Sequence, residues 1–531
     1  MLKSFATVGG ATILSRILGF LRDTMIASAL GTGPIADAFV VAFRLPNLFR
    51  RLFAEGVFNS AFVPLYSREL EERGEEGAGQ FAADVASILV FIVMGLCALG
   101  MIAAPWLVDV LAFGFARSGD KFDLTVLLTR ICFPYLGLMA VTGMLGSLLA
   151  AHRRFFLPAL APVLLNVVLI AVLMVINWAG LARSPLGGEV LAYGVSVAGI
   201  AQLTLVGIGV WLSGAGFRLH LPRLTASMRR LMGLALPGLL AGGITQINIV
   251  VGTTLASVQA GAVAYLYYAD RVYQLPLGVV GIAVGVVLLP EIAYRIRIGR
   301  DDLAYEAQNR SLEFALALTV PAALGLMVAA HPIVEVLFER GAFGPRDTSM
   351  TADALAAFAF GLPAFVMVKV FSPAFFARLD MKTPMWIAIV AMLVNVVAGV
   401  LLFWRIGHLG IALATSLAGW INAGLLFFML ARRRHWRTDG SLEHRLPRLL
   451  VAAAVMTLFT WLAQRLAAHW LGAENGLMIK VSALALVIGG SAAIFVTIGV
   501  WIGGLDWRSL KGGFTSETSQ PKLSVLDVSI D

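Results

Sequence analysis

Phe81–Leu111 reads FAADVASILVFIVMGLCALGMIAAPWLVDVL, and its only charges are Asp84 and Asp109. The stretch between them exceeds the about 20 apolar residues that carry a helix across a bilayer. Similar runs recur at Pro162–Trp178 and Val481–Gly503, with no room for a soluble domain between them. Composition agrees: of 531 residues, 59% are hydrophobic and 13% charged, with a mean hydropathy of +0.87. A soluble domain carries roughly 25% charged residues. The solvent for this chain is lipid.

Working outward from that run, apolar segments place spans near 8–30, 34–65, 80–112, 124–150, 157–178, 190–213, 229–256, 261–292, 311–337, 351–377, 384–404, 409–431, 447–468 and 479–503. This predicts an all-α polytopic membrane protein with about 14 transmembrane helices. The first span carries Arg16 and Arg22 and lacks a small-residue cleavage site, so it reads as a retained span rather than a signal peptide.

If the spans alternate, the odd-numbered connections hold eight Lys and Arg residues, among them Lys121, Arg183 and Arg340; the other side holds 24, including Arg153, Arg154, Arg300 and the run Arg432-Arg433-Arg434. The positive-inside rule then puts both termini in the cytoplasm. The net charge of +9 is spread over short loops with no basic face, which argues against nucleic acid. Cys97 and Cys132 lie in apolar runs and read as small core residues.

The chain also resembles itself at an offset of roughly 220 to 230 residues. Pro105-Trp106-Leu107-Val108-Asp109 matches Pro332-Ile333-Val334-Glu335 with one gap, and Phe133-Pro134 lines up with Leu362-Pro363. Leu164-Leu165-Asn166-Val167-Val168 answers Leu393-Val394-Asn395-Val396-Val397, and Gln202 answers Asn422. The shared order predicts two six-helix lobes, 1–215 and 225–435. A linker and two further helices follow over 436–511, then a polar cytoplasmic tail over 512–531, read as disordered. Six spans per lobe is even, so the lobes share one orientation and their pseudo-two-fold axis runs along the membrane normal. The substrate path is then the cleft between lobes. The basic Arg432–Arg448 segment, broken by Gly440 and Pro447, reads as the linker. Gly238, Gly242, Gly243 and Gly252 in the seventh span read as sites of close helix packing.

Charges inside the spans mark function, because an arginine at the bilayer centre costs about 2.5–3.5 kcal/mol on insertion scales. In the first span Thr12, Ser15, Arg16, Gly19, Arg22 and Asp23 recur at helical spacing and should face the cleft. The second span adds Asp37, Arg44, Arg50, Arg51 and Glu55, with Pro46 to bend it. The second lobe supplies Asp270, Arg271 and Gln274, and Lys369 beyond them. Gathered round one cleft, Arg16, Arg22, Arg50 and Arg271 make a cationic cavity suited to a diphosphate. The competing reading is that they form structural ion pairs with Asp23, Asp37, Glu55 and Asp270, or snorkel from span ends. For Arg44 and Arg51 that reading is preferred, at the outer side of their helix. Asp37 fits a helix start or a gate contact equally well.

There is no Gly-x-x-x-x-Gly-Lys-Ser/Thr motif, so nucleotide hydrolysis is not expected. The seven histidines show no metal-ligand spacing, and no metal or cofactor is expected. Asp109 and Glu335, at matching repeat positions, read as the start of solvated loops. A membrane-embedded transferase would need a catalytic carboxylate or histidine at the membrane face.

Ser15-Arg16-Ile17-Leu18-Gly19-Phe20-Leu21-Arg22-Asp23, Asp37-Ala38-Phe39, Leu45-Pro46-Asn47-Leu48-Phe49-Arg50-Arg51 and Phe53-Ala54-Glu55-Gly56 resemble the signature of the MurJ (MviN) lipid II flippase family. That family is a branch of the multidrug/oligosaccharidyl-lipid/polysaccharide exporter superfamily. Tyr267-Tyr268-Ala269-Asp270-Arg271 and Lys382-Thr383-Pro384 extend the likeness to the second half. The resemblance implies fourteen helices in the bacterial inner membrane and outward flipping of lipid II by alternating access. It also implies coupling to membrane potential or an ion gradient, and partners among membrane lipids and cell-wall synthesis proteins. It carries the family's cavity arginines onto Arg16, Arg22, Arg50 and Arg271, and its outer-side aspartate onto Asp37. Gln274 departs from the pattern, where some members have a glutamate. A flippase for another polyprenyl-diphosphate glycan is the nearest alternative. A drug exporter would want cavity carboxylates, which the arginines here outweigh.

Overall fold

A computed structural model describes residues 2–50, 62–117, 119–216, 248–472 and 474–505, with 219–222, 225, 229, 231, 233 and 246 between the longer blocks. Every regular element among the described residues is helical. The first half contains α1 (Leu2–Leu30), α2 (Pro34–Arg50), α3 (Val63–Ile102), α4 (Ala104–Leu111), α5 (Gly119–Cys132), α6 (Pro134–Ala151), α7 (Phe156–Trp178) and α8 (Pro185–Ser213). The short α9 (Asn248–Ser257) follows. The second half contains α10 (Ala262–Arg297), α11 (Asp301–Val328), α12 (Ala330–Phe338), α13 (Pro345–Phe360), α14 (Leu362–Phe376), α15 (Lys382–Ile406) and α16 (His408–Arg432). Then come α17 (Gly440–Leu466), α18 (Ala468–Leu471) and α19 (Leu477–Trp501). Among the described residues, 10 helical segments are long and apolar enough to cross a membrane. The other four expected spans coincide with α1, α2, α9 and α10, which are charged or short.

The prolines matched between the halves sit where helices break. Pro134 and Pro363 occupy the first turns of α6 and α14, so each expected single span is a pair of helices meeting at Phe133 or Gly361. Proline tolerates that position because its missing N–H has no helical partner there. Pro105 and Pro332 lie likewise near the starts of α4 and α12. Left-handed residues also fall in corresponding places: Gly31 and Gly261, Gly74 and Gly299, Arg153 and Leu379, Gly180 and Gly407, Gly214 and Arg434. At Gly74 the left-handed residue kinks α3 between its polar start and its apolar span.

Each half has its own core. Phe81, Val85, Phe133 and Leu136 anchor the first, and Leu312, Val366, Val370 and Phe371 the second. A third buried cluster joins them at one end: Ile26, Ala27, Leu30 and Phe39 pack with Tyr268, Phe338 and Phe343. The Tyr268 ring lies 5.3 Å from Phe338 and 5.7 Å from Phe343.

The turns at that end are the odd-numbered connections, and they are tied together. Ala342 N donates to Ser28 O at 2.7 Å, Tyr268 Oη to Gly31 O at 3.1 Å, and Arg183 N to Ala29 O at 3.0 Å. At the opposite end the bonds run within a half: Arg154 to Leu212 O in the first, Tyr305 to Arg434 O and Asn309 to Arg437 O in the second.

Three expectations are corrected. Gly440 begins α17, capped by Asp439 accepting from Leu442 N at 2.8 Å, and Pro447 lies inside that helix. The linker is therefore only 433–439. Glu335 sits within α12 and pairs with Lys480 of α19 at 2.8 Å rather than opening a solvated loop. Arg44, expected at the outer side of its helix, is half-buried and donates to Thr253 of α9. Arg51, Glu55, Gly238, Gly242, Gly243 and the 512–531 tail lie outside the described residues. A Cβ added at Gly252 would meet Ile411 at ordinary van der Waals distance, so close packing does not require glycine there.

Candidate substrate site

α1 passes between α7 of its own half and α10 of the other, and its polar stripe divides between them. On the α7 side, Gly19 leaves room for Asn166, whose Nδ2 donates to Ser15 O at 2.9 Å. The same amide's Oδ1 accepts from Arg22 Nη1 at 2.9 Å. Asn166 therefore fixes the guanidinium of Arg22 against the helix that carries it.

Arg22 and Asp23 are both buried, at 5% and 1% exposure. Arg22 donates to Asp23 Oδ1 from Nη2 at 2.7 Å and from Nε at 3.0 Å. The same oxygen accepts from Tyr267 Oη of α10 at 3.0 Å. Arg271 reaches Asp23 Oδ2 at 2.9 Å, with Nη2 donating to Tyr267 Oη at 3.2 Å and the guanidinium 5.1 Å from the Tyr267 ring. One carboxylate thus serves two arginines, one from each half. The Arg22–Asp23 contacts are charge-assisted hydrogen bonds, about twice as strong as neutral ones, whereas Arg271 Nε contributes an ion pair without hydrogen-bond alignment.

Nearer the N-terminal end of α1, Arg16 is exposed and packs against Gly278 of α10, where an added Cβ would lie 2.3 Å from Arg16 Nη1. Lys369 on α14 is exposed and within electrostatic reach of Arg16. No ion pair reaches Arg16 or Lys369 among the described residues. Asp270, beside Arg271, accepts from Gln274 one turn on. Among the described residues, Arg16, Arg22, Arg271 and Lys369 thus stand against the carboxylates of Asp23 and Asp270, and the cluster is net positive. Arg50 ends α2, and its side chain lies outside the described residues.

Asp37 is elsewhere. It lies in the first turn of α2, fully buried, and accepts from Gly261 N and Ala264 N at 3.0 Å each, at the start of α10. Lys121 of α5 completes it at 2.6 Å. A carboxylate satisfies both orphan amides and the positive end of a helix dipole. Asp37 is at once a helix-start residue and a contact across the sealed end. Close by, Asp347 of α13 accepts from Thr32 at 2.5 Å.

The residues not singled out beforehand are Asn166, Tyr267 and Lys121. Asn166 carried a signal, a lone amide in an apolar run, but had served only to align the repeat. Lys121 gave none, since a lysine in a short connection looks like any other.

A chain whose described elements are all helical, with ten segments long and apolar enough to cross a membrane and two halves that share a buried ion cluster and are tied at one end, belongs to the class of polytopic membrane transporters. The family profile described as "Lipid II flippase MurJ" matches residues 26–482. The chain belongs to the lipid II flippase MurJ family. It is 46% identical over 98% of its length to a "Probable lipid II flippase MurJ" of Rhizobium meliloti (strain 1021), covering 98% of that protein. It is 31% identical to the "Lipid II flippase MurJ" of Burkholderia cenocepacia, covering 96% and 98% of the two chains. Among solved structures it resembles "Lipid II flippase MurJ, inward closed conformation" with a TM-score of 0.78 at 25% identity, over 95% of this chain and 99% of that one. A multidrug resistance MATE family transporter of the MOP superfamily shares the fold at 15% identity, with a TM-score of 0.65 over 79% and 94%.

Proposed function

We propose that this chain moves lipid II from the cytoplasmic to the periplasmic leaflet of the bacterial inner membrane by alternating access between two six-helix lobes. The observation that carries the reading is the sharing of Asp23 by Arg22 and Arg271, one arginine from each half, with Arg16 and Lys369 beside them in no ion pair among the described residues. A diphosphate offers these cations more acceptor oxygens than one carboxylate does. It displaces Asp23 from Arg271, and with it a tie between the halves.

The matched prolines and left-handed turns support the two lobes, and the excess of Lys and Arg supports cytoplasmic termini. With that orientation, the tied end around Ser28–Asp37 is periplasmic and the Arg16 end faces the cytoplasm. Breaking the outer ties must be coupled to a free-energy source, for which membrane potential or an ion gradient is proposed, since the chain carries no nucleotide-phosphate motif. A ligand shifts such an equilibrium only by binding its two states unequally, and the shared carboxylate supplies that inequality.

The test is exposure of lipid II at the periplasmic face of cells depleted of their native flippase. Restored exposure with this chain supports the assignment. No exposure from a well-inserted chain moves it to another polyprenyl-diphosphate glycan.

A further inference from the structure

On the Lys- and Arg-rich face, the end of α14, the start of α11 and the turn after α16 meet in a cluster that the transport cavity does not use. Arg378 donates Nη1 to Ala374 O at 2.9 Å and the guanidinium is also hydrogen-bonded to the Tyr305 hydroxyl, while its Nη2 is buried without an acceptor of its own. His435 Nδ1 and Trp436 Nε1, adjacent in the facing turn, are also buried without partners. Leaving such groups unsatisfied costs about 1–3 kcal/mol each, and Arg378 and His435 lie within electrostatic reach of one another, so the pair marks unmet demand for an acceptor.

The frame around them is rigid. Trp436 is buried in edge contact with Phe371 and Phe427, at 5.4 and 6.0 Å. Tyr305 Oη holds Arg434 O at 2.8 Å. Both turns bend through left-handed non-glycine residues, Leu379 and Arg434, each at φ 58°. Arg433, exposed at the mouth, pairs with Asp380, donates to Thr383 Oγ1 at 2.9 Å and stands 5.9 Å from the Phe375 ring. Asp302 is taken by Arg300. Asp301 is the remaining carboxylate near Arg378, and Arg432, Arg434 and Arg437 are exposed in the adjacent turn. Burial, with Arg378 and Arg433 opposite, holds the His435 imidazole below its ordinary range. An added anion would relieve that.

We propose that this cluster binds the phosphate of an anionic phospholipid headgroup, with Arg378 and His435 as its donors and the exposed arginines of the 432–437 turn as its mouth. The half-buried Arg378 side chain turns its Nη2 outward to meet the phosphate. Basic pockets between helices at the cytoplasmic interface suit such headgroups.

The experiment uses the full chain in neutral detergent and follows its thermal unfolding midpoint as phosphatidylglycerol, phosphatidylcholine or inorganic phosphate is added at constant ionic strength. Phosphatidylglycerol should raise Tm and phosphatidylcholine should not. In Arg378→Gln and His435→Gln the half-maximal lipid concentration should rise about tenfold, as loss of one bond to a charged group implies. Arg271→Gln, in the transport cluster, should leave this response unchanged. If Arg378→Gln does not fold, Arg378→Lys and His435→Gln carry the comparison. An unchanged response in these variants, or equal shifts with phosphatidylcholine, overturns the site. A full shift with inorganic phosphate alone overturns the lipid assignment.

Discussion

Asp23 is the residue on which the cluster turns, because it neutralises a buried arginine of its own helix and holds an arginine of the other half. Removing one partner of a buried pair leaves the other charge uncompensated, which costs about 3–5 kcal/mol. Asp23→Asn should therefore lower both the purified yield and the thermal unfolding midpoint. Arg16→Ala, whose side chain reaches no carboxylate among the described residues, should leave both near wild type. Equal losses in the two variants would contradict the assigned pairing. Arg16, Arg22, Asp23 and Arg271 were legible as candidates because a charge in an apolar run stands out. Their pairing was not. Nothing in the sequence says that Asp23, rather than Asp270, takes both arginines, since that depends on how α1 meets α10. Lys121 was illegible for the same reason, and Asn166 was visible only as a polar residue without a partner.

At the level of helices, α1 and α10 form the seam, and Gly278 sets how closely Arg16 can approach it. A Cβ there would meet the tip of a flexible side chain rather than backbone. Gly278→Ala should accordingly preserve folding while displacing the Arg16 guanidinium. Its expected signature is normal abundance with reduced transport, read as lipid II exposure per inserted protein. Unaltered transport would mean that Arg16 does not work from this position. Pro134 and Pro363 were legible only as landmarks of the repeat inside single expected spans; that a helix ends at each follows from the ring, which removes a donor and clashes with the preceding turn. Pro447 shows the limit of that inference. It lies beyond the first turn of α17, where its ring removes a helical hydrogen bond, and the element still continues through it.

Across the whole molecule, the apolar runs carried the architecture. Lipid leaves backbone groups no partner but their own helix, so hydropathy alone reads most spans. It reads the charged α1, α2 and α10 poorly, since the charges that build the site also erase the apolar signal. The grouping of all odd-numbered turns at one sealed end makes a topological prediction. A cysteine placed at Thr438, between α16 and α17, should react with a membrane-impermeant maleimide only after the cytoplasmic face is opened, and one at Ala182 should react in intact cells. The reverse pattern would invert the orientation and with it the direction of transport.

The most direct measurement of the central claim, that the shared cationic cluster carries the substrate's diphosphate, is lipid II exposure by Arg271→Ala in flippase-depleted cells at matched abundance. Asp23 keeps Arg22 in that variant, so the protein should insert at near wild-type levels yet expose no lipid II. Wild-type exposure from Arg271→Ala would contradict the claim and return these arginines to a structural role.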